Sequence, residues 1–366
     1  MTIIIGTVLL GALVFVHELG HFLAARLCGV KVEAFSIGMG PVLFHKERRG
    51  TDWRVSLLPF GGYCAMKGEK DFEGSSPDAD SFYGARPFYR AVIGLAGPLA
   101  NFLFAAAAFF VIALTGYTYY AAGNTIRLAS DVWPELHSAA ADAGIQSGDK
   151  IIQINSKKIT DFSEIYAEVA ARPDEDISVT VERGGGTLTF TVRTDMSPGT
   201  GEGKIGVVSD PSSVEAREAA RYSFFPAVGR GFLETFRMIH LSLKGIALLF
   251  KGAKVTESVA GPARITQMMG ETARSGFSAG FRSGMAAVLQ FMALISVSLL
   301  IMNLLPIPIL DGFLVITSIV EAIFGARVSP KARNVVQYIG IALIAALFVL
   351  AVSGDFHYFA GLLHEK

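Results

Sequence analysis

Two histidines and a glutamate stand inside an apolar N-terminal segment, in the stretch "LVFVHELGHFLAARL" at positions 13–27. Residues four apart on a helix share one face, so His17 and His21 can both point at one ion. Glu18 follows His17 directly and can reach a water on that ion. Two imidazoles that hold zinc, with a glutamate as general base, are the arrangement of metalloproteases. The spacing therefore predicts a hydrolytic metal site.

The surroundings of this motif decide between a functional site and a chance pattern. In a soluble helix, the same five residues would be ordinary paired surface groups. Here "LLGALVFV" precedes the motif and "FLAARL" follows it. Ionisable groups at membrane depth are rare and mark function by default. Coordination of a metal ion would offset the free energy cost of burying them.

A catalytic zinc site needs a third protein ligand and keeps its fourth position open. We predict that Asp311, in "NLLPIPILDG" at 303–312, is this ligand; the alternative is a loop carboxylate at the membrane surface. Pro306 and Pro308 should unwind the helix before Asp311. Unwound backbone at membrane depth is tolerated where it lines protein or a watery cavity. Asn303, just before the break, is predicted to bind substrate backbone or a developing oxyanion; helix–helix hydrogen bonding is the alternative.

The composition is that of a membrane protein. Of 366 residues, 51% are hydrophobic and 17% charged, and the mean hydropathy is +0.46. The net charge is zero, so nothing indicates a nucleic-acid partner. Cys28 and Cys64 form no metal-binding pattern and are predicted to be free thiols.

Four segments are long and apolar enough to span a bilayer, which needs roughly 20 residues. They lie at about 2–28, 90–116, 284–306 and 335–353. A fifth stretch, at about 224–250, mixes charged and apolar residues and suits an amphipathic helix at the membrane interface.

The distribution of basic residues predicts the orientation. Region 29–89 is rich in Lys and Arg, and the loop between spans three and four carries Arg327, Lys331 and Arg333. Short basic loops stay cytoplasmic. Both chain termini are therefore predicted outside the cytoplasm, with His21 and Asp311 toward the cytoplasmic side.

Two regions outside the spans have strand patterns. Region 120–195 predicts a small α+β domain, with the alternating strands "ISVTVER" and "TLTFTVR" joined by a glycine hairpin. Region 196–221 is rich in Gly, Ser and Pro and is predicted to be a linker. Within 34–69, "FSIGMG", "VLFHKE" and "DWRVSLLPF" predict hairpin strands near the membrane.

The hairpin region bears on substrate binding. A helix screens its carbonyls from a protease, whereas an edge strand that pairs with the substrate holds it extended. Gly61 and Gly62 are the candidate substrate-binding residues there. His45, beside Lys46, is predicted to be a solvated loop residue.

The stretch "AGPLANF" at 96–102 opens the second span with small residues. Small residues let helices approach closely, and an intramembrane Asn pairs with a neighbour. We predict that Gly97, Pro98 and Asn101 pack against the helix that carries the histidines.

The motifs "HELGH", "AGPLANF" and "NLLPIPILDG", in this order and with a soluble domain before the third, resemble the site-2 protease family of intramembrane zinc metalloproteases. The similarity is greatest to its bacterial regulator-of-sigma-E branch, which "GGYCAMKGE" and "SVAGPARI" also resemble. The resemblance implies that His17, His21 and Asp311 bind Zn²⁺, that Glu18 is the catalytic base, and that Asn303 helps to bind substrate.

The resemblance also implies an architecture and partners. The expected fold is a polytopic α-helical membrane protein with four transmembrane helices, a membrane-associated β-hairpin region and one inserted PDZ-like α+β domain. The domains would be 1–119, the PDZ-like 120–195, a linker with interfacial helices at 196–283, and 284–366. Expected partners are membrane lipids, single-span membrane proteins already trimmed by another protease, such as anti-sigma factors or signal-peptide remnants, and peptide C-termini at the PDZ-like domain. The expected location is the bacterial inner membrane.

Two features differ from better-known members of this branch. Those members carry two PDZ domains and this sequence shows one, and "LDGF" stands where "LDGG" is common. The PDZ-like domain would either capture trimmed substrates or exclude bulky ones. Two other classes compete with the protease: a non-proteolytic membrane adaptor with structural zinc, and a metal transporter, which would place more ionisable residues across several spans.

Overall fold

The structure, a computed structural model, describes residues 2–69, 78–197, 201–249, 261–325 and 330–364. Within these ranges the helices are α1 (Thr2–Leu27), α2 (Pro87–Thr115), α3 (Ala129–Val132), α4 (Ala139–Asp142), α5 (Phe162–Ala170), α6 (Phe224–Leu249), α7 (Pro262–Ser278), α8 (Phe281–Leu304), α9 (Asp311–Phe324) and α10 (Pro330–His364).

The strands of the described residues are β1 (Val32–Arg48), β2 (Thr51–Met66), β3 (Thr118–Ala122), β4 (Ile126–Leu128), β5 (Lys150–Ile154), β6 (Lys157–Lys158), β7 (Asp176–Arg183), β8 (Gly186–Arg193), β9 (Asp195–Met196), β10 (Gly203–Lys204), β11 (Val207–Ser209) and β12 (Val214–Glu218). They divide between two compact units, residues 1–116 with 220–366 and residues 117–219.

Four helices of the described residues have the length and composition to cross a membrane: α1, α2, α8 and residues Val335–Phe356 of α10. They fall within a few residues of the four predicted spans. The helix α10 extends beyond the predicted 335–353 at both ends, because polar residues continue a helix that a hydropathy window no longer detects. Lys331 and Arg333 lie in its first turn, whereas Arg327 and residues 258–260 of "SVAGPARI" lie outside the described residues.

The predicted loop between spans three and four is largely a helix, which corrects that expectation. Helix α9 starts at Asp311 and ends where Gly325 adopts a left-handed backbone conformation, with φ of 68°. A glycine in this conformation is a common helix C-terminus. The apolar segment is too short to span a bilayer, so span length alone did not reveal it.

Four helices of the first unit, α1, α6, α8 and α9, pack against α2. Small residues permit the closest approach. A Cβ atom built on Gly20 of α1 would collide with the carbonyl of Ala96 and lie 2.8 Å from the Cβ of Ala100. The glycines and alanines therefore set the distance between α1 and α2.

Strands β1 and β2 form one long irregular antiparallel hairpin rather than the three predicted strands. "FSIGMG" and "VLFHKE" merge into β1, and Arg49 and Gly50 form the turn, with φ of 55° and 76°. Residues 34–37 lie between 52–55 on one side and 62–65 on the other. Among the described residues, no strand pairs with the outer side of 62–65. This part of β2 is therefore an edge strand.

The second unit, residues 117–219, is built on a four-stranded sheet in the order β6-β5-β7-β8. Alternate residues of β7 are buried, among them Ile177, Val179 and Val181. Gly184 and Gly185 both have positive φ, as the predicted two-residue hairpin turn requires. Helix α5 packs on this core through Ile165.

The predicted linker at 196–221 contains strands, so the second unit extends past residue 195. Strands β10, β11 and β12 pair with β9, β4 and β3. Each has two to five residues, too few to show a clear period-two pattern between Gly and Pro residues. Helix α6 begins and ends within one residue of the predicted 224–250.

Candidate metal centre

The two histidines of the HELGH motif face the interior of the first unit. His17 and His21 have relative exposures of 8% and 7%. They lie one turn apart on α1, and their Nε2 atoms are 3.2 Å apart. The helical spacing of four residues is what brings the two imidazoles together.

Asp311 completes this group from the first turn of α9. Its Oδ2 lies 3.2 Å from His17 Nε2 and 3.4 Å from His21 Nε2. The chain between α8 and α9 is not helical, as Pro306 and Pro308 predict, and Ile309 has a φ of 87°. A Cβ on Gly312 would lie 2.5 Å from the carbonyl oxygen of Leu305. Glycine at this position lets the chain double back and direct Asp311 at the histidines.

The three ligand atoms fit one tetrahedral cation. Zinc bonds nitrogen and oxygen at about 2.0–2.2 Å, so neighbouring ligands in a tetrahedron lie roughly 3.3–3.5 Å apart. The observed separations are 3.2, 3.2 and 3.4 Å. Asp311 Oδ2 is buried and has no hydrogen-bond donor among the described residues. A buried carboxylate oxygen without a donor is what a bound cation would satisfy.

Glu18 lies on α1 beside this group, and its side chain faces the edge strand of β2. A Cβ on Gly62 would lie 3.3 Å from Glu18 Cγ, and the carboxylate faces the backbone of Cys64. Glu18 is close enough to interact electrostatically with both histidines and with Asp311. The general base predicted from the motif is thus next to both the metal ligands and a strand edge.

Helix α2 contacts the far side of both imidazoles. His21 Nδ1 donates a hydrogen bond to the carbonyl of Ile93 at 2.8 Å, and His17 Nδ1 lies 3.0 Å from the side-chain amide of Asn101. Because a carbonyl only accepts, His21 carries its proton on Nδ1 and its Nε2 lone pair is left for a metal.

Gly97 lies between these two partners on the same face of α2. A Cβ there would lie 2.6 Å from His21 Cε1 and 2.7 Å from His17 Cε1. The "AGPLANF" motif therefore packs on the histidine helix, as predicted, and also touches the imidazoles. The predicted packing role did not include the Ile93 carbonyl. Positions 93, 97 and 101 lie four apart and so on one helix face, but this spacing does not mark the Ile93 carbonyl as an acceptor.

The predicted substrate-binding residues lie on α8 and β2. Asn303 lies in the last turn of α8 and is half-buried. Gly61, with φ of 88°, lies in β2 against the Met39 side chain, and Gly62 follows it next to Glu18. His45 is exposed in β1 rather than in a loop, with Nδ1 3.2 Å from an Asp52 carboxylate oxygen. Cys28 and Cys64 are free thiols, as predicted.

The sequence also matches a known protein family over most of its length. A model of Peptidase family M50 matches residues 5–347. The chain belongs to Peptidase family M50. This M50 membership confirms the resemblance drawn from the three motifs and the prediction of a metalloprotease.

Curated relatives match the M50 chain over almost its whole length. Three of them carry the name "Putative zinc metalloprotease". The protein of Treponema pallidum is 32% identical over 97% of this chain and 99% of its own. The protein of Rhizobium meliloti is 35% identical over 96% of each chain. The protein of Agrobacterium fabrum is 36% identical over 94% of this chain and 93% of its own.

Proposed function

We propose that the chain is an intramembrane zinc endopeptidase that hydrolyses peptide bonds in or near the transmembrane segment of single-span membrane proteins. The main support for this proposal is the group of His17, His21 and Asp311. Its three ligand atoms lie at tetrahedral separations, next to Glu18. Within the described residues, these three are the group with metal-binding geometry. A site with three protein ligands leaves a fourth position for the reaction.

Zinc is the metal that this donor set and the relatives' names support. His17 and His21 would bind through Nε2, and Asp311 through Oδ2. When bound, zinc supplies a Lewis acid that polarises the peptide carbonyl and makes water nucleophilic near neutral pH.

Glu18 performs the proton transfers of the proposed reaction. Its carboxylate takes a proton from the attacking water and delivers it to the amine that leaves. Its position beside the ligand cluster, against the edge of β2, suits both transfers.

The edge strand of β2 presents the substrate. Within the described part of the chain, no strand pairs with the outer side of residues 62–65. An unwound peptide that adds to this edge becomes an extended strand, in which its carbonyls are accessible. We assign Gly61 and Gly62 to backbone contact with that peptide, because Gly62 begins this edge next to Glu18 and Gly61 directly precedes it. Asn303 contacts the substrate from the end of α8.

The membrane position follows from the four apolar helices and the basic loops. Both termini lie outside the cytoplasm and the metal site lies toward the cytoplasmic side of a bacterial inner membrane. In this orientation His21 and Asp311 are reached from the same leaflet. Membrane lipids surround α10, whose described apolar side chains are largely exposed, among them Tyr338 and Ile339.

The second unit, residues 117–219, is assigned the PDZ-like role that its sequence resembles. It binds C-termini that a previous cut has exposed, or it excludes untrimmed proteins. Removing the unit distinguishes the two: faster cleavage of untrimmed substrate supports exclusion, and slower cleavage of trimmed substrate supports capture. The substrates would be trimmed single-span proteins such as anti-sigma factors or signal-peptide remnants, cut in regulated intramembrane proteolysis.

A non-proteolytic zinc adaptor is not favoured. A structural zinc site has four protein ligands, and the group found within the described residues has three. Membership of a peptidase family also argues for catalysis.

The test of the proposed function is cleavage by purified protein. The zinc-loaded chain is mixed in detergent or bilayers with a panel of single-span peptides, and products are identified by mass spectrometry. Cleavage within or next to the span, lost on chelation and recovered with zinc, is the expected result. A protein that holds zinc but cleaves no member of the panel would support the adaptor.

A further inference from the structure

Asn101 is buried between three helices, and its side chain contacts a metal-binding histidine. It has 0% exposure and lies on α2. Its Nδ2 is 3.0 Å from His17 Nδ1. Its backbone carbonyl accepts a hydrogen bond from Ser296 Oγ on α8 at 3.0 Å, and Ser296 is also fully buried. Asn101 therefore joins α1 and α8 through two different groups.

One polar atom of Asn101 has no hydrogen-bond partner among the residues that the structure describes. Its Oδ1 is buried without a hydrogen bond within the described part of the chain. A buried amide oxygen without a donor destabilises the structure that holds it. The adjacent imidazole can supply a donor, because a histidine that binds metal through Nε2 carries its proton on Nδ1.

The two orientations of the amide match two states of His17. With Nδ2 toward the ring, His17 Nδ1 accepts and the ring proton is on Nε2, the atom that would otherwise bind a cation. A 180° rotation of the amide exchanges its oxygen and nitrogen. Oδ1 then accepts the Nδ1 proton of His17, and the Nε2 lone pair is free for a cation.

We propose that Asn101 is a positioning residue that holds His17 in its metal-binding tautomer by accepting the Nδ1 proton through Oδ1. The Ile93 carbonyl has the same role for His21, whose Nδ1 donates to it at 2.8 Å. Acceptors of this kind fix the ring orientation of ligand histidines, and their loss typically lowers metal affinity about 10–100-fold. The inference rests on the proposed function only in taking zinc as the bound metal.

The test measures zinc affinity rather than cleavage. Purified full-length chain in detergent is titrated with zinc against a chelator of known affinity. Asn101→Leu keeps the approximate size of the side chain and removes its acceptor. Asn101→Asp keeps an acceptor and removes the donor. Ser296→Ala removes the neighbouring helix contact without touching the imidazole, and is the matched control.

The expected result is a zinc affinity lowered about 10–100-fold in Asn101→Leu, with wild-type or tighter affinity in Asn101→Asp and no change in Ser296→Ala. Equal losses in Asn101→Leu and Ser296→Ala would show a packing role and overturn the proposal. A loss in Asn101→Asp would show that Asn101 acts as a donor, which also overturns it. If Asn101→Leu does not fold, the Asn101→Asp result alone decides the direction of the hydrogen bond.

Failure of this inference differs from failure of the proposed function. A wild-type chain that binds no zinc contradicts the proposed function. A wild-type chain that binds zinc with an affinity unchanged in both Asn101 variants contradicts the positioning role alone.

Discussion

Gly97 of α2 lies directly against the imidazole of His21, with no space for a side chain between them. A Cβ atom on Gly97 would collide with His21 Nε2, the atom that faces Asp311. The glycine is thus part of the wall of the metal site as well as a helix-packing residue.

The substitution Gly97→Ala should therefore displace the ligand histidines. We expect zinc affinity to fall about tenfold or more, the scale seen when groups around a ligand are disturbed. The chelator competition described above measures it. Gly229→Ala is the control, because a Cβ on Gly229 of α6 meets nothing within 4 Å. Wild-type affinity in Gly97→Ala would show that α2 moves away at little cost.

A buried ion pair anchors the helix that begins with Asp311. Arg90 Nη2 of α2 lies 2.7 Å from Glu321 Oε1 of α9, and the two side chains are 3% and 7% exposed. Breaking a buried pair costs about 3–5 kcal/mol, whereas replacing both members with apolar residues is often neutral. We expect Arg90→Met to lower the unfolding midpoint strongly, and Arg90→Met with Glu321→Met to recover most of the loss. Additive losses in the double variant would contradict a direct pair.

Because Gly62 of the edge strand contacts Glu18, we expect that a change at Gly62 can lower the rate of cleavage without lowering zinc affinity. A Cβ on Gly62 would lie 2.8 Å from the carbonyl oxygen of Ser36 and 3.3 Å from Glu18 Cγ. Gly62→Ala should shift the edge strand or Glu18, so cleavage of single-span peptides should fall while zinc affinity stays unchanged. Zinc titration and peptide cleavage on the same preparation measure both. If zinc affinity fell together with cleavage, Gly62 would be shown to support the metal ligands instead.

The second unit contains an exposed histidine between two carboxylates. His137 Nδ1 lies 2.9 Å from Asp195 Oδ2, and its Nε2 lies 2.8 Å from Asp142 Oδ2. Hydrogen bonds that His137 donates, first to Asp195 and then to Asp142, raise the pKa of His137 above its ordinary value. Because the folded pKa is the higher one, the stabilisation is complete below the unfolded pKa and is lost as pH rises through the folded pKa.

Hydrogen–deuterium exchange checks this pH dependence. Peptides covering α4 are compared between wild type and His137→Gln at matched pH values from about pH 5 to about pH 9, which bracket the ordinary histidine pKa near 6.5. The extra protection of the wild type should be largest at the acid end and shrink toward the alkaline end. Protection that grows with pH would contradict the raised pKa.

Much of the metal site could be predicted from the sequence because its ligands lie on regular structure. The spacing of His17 and His21 fixes them on one helix face, and two prolines predicted the chain break that directs Asp311 toward them. The hydropathy of the four spans likewise predicted their helices within a few residues.

The contacts that support the ligands could not be predicted, because they depend on how helices pack. The acceptor for His21 is the backbone carbonyl of Ile93, which no side-chain type reveals. The pairing of Arg90 with Glu321 joins residues far apart in sequence. The short strands at 203–218 are defined by their partners β3, β4 and β9 rather than by their own pattern.

The most direct test of the account compares wild type with Glu18→Gln in zinc content and cleavage of a single-span peptide. Glu18 is the proposed base and not a metal ligand, so the variant should hold one zinc per chain, as the wild type does. Its cleavage rate should fall about 10²–10⁴-fold, the contribution of a general base. A Glu18→Gln chain that cleaves at the wild-type rate would contradict the mechanism, and a wild-type chain without zinc would contradict the metal site itself.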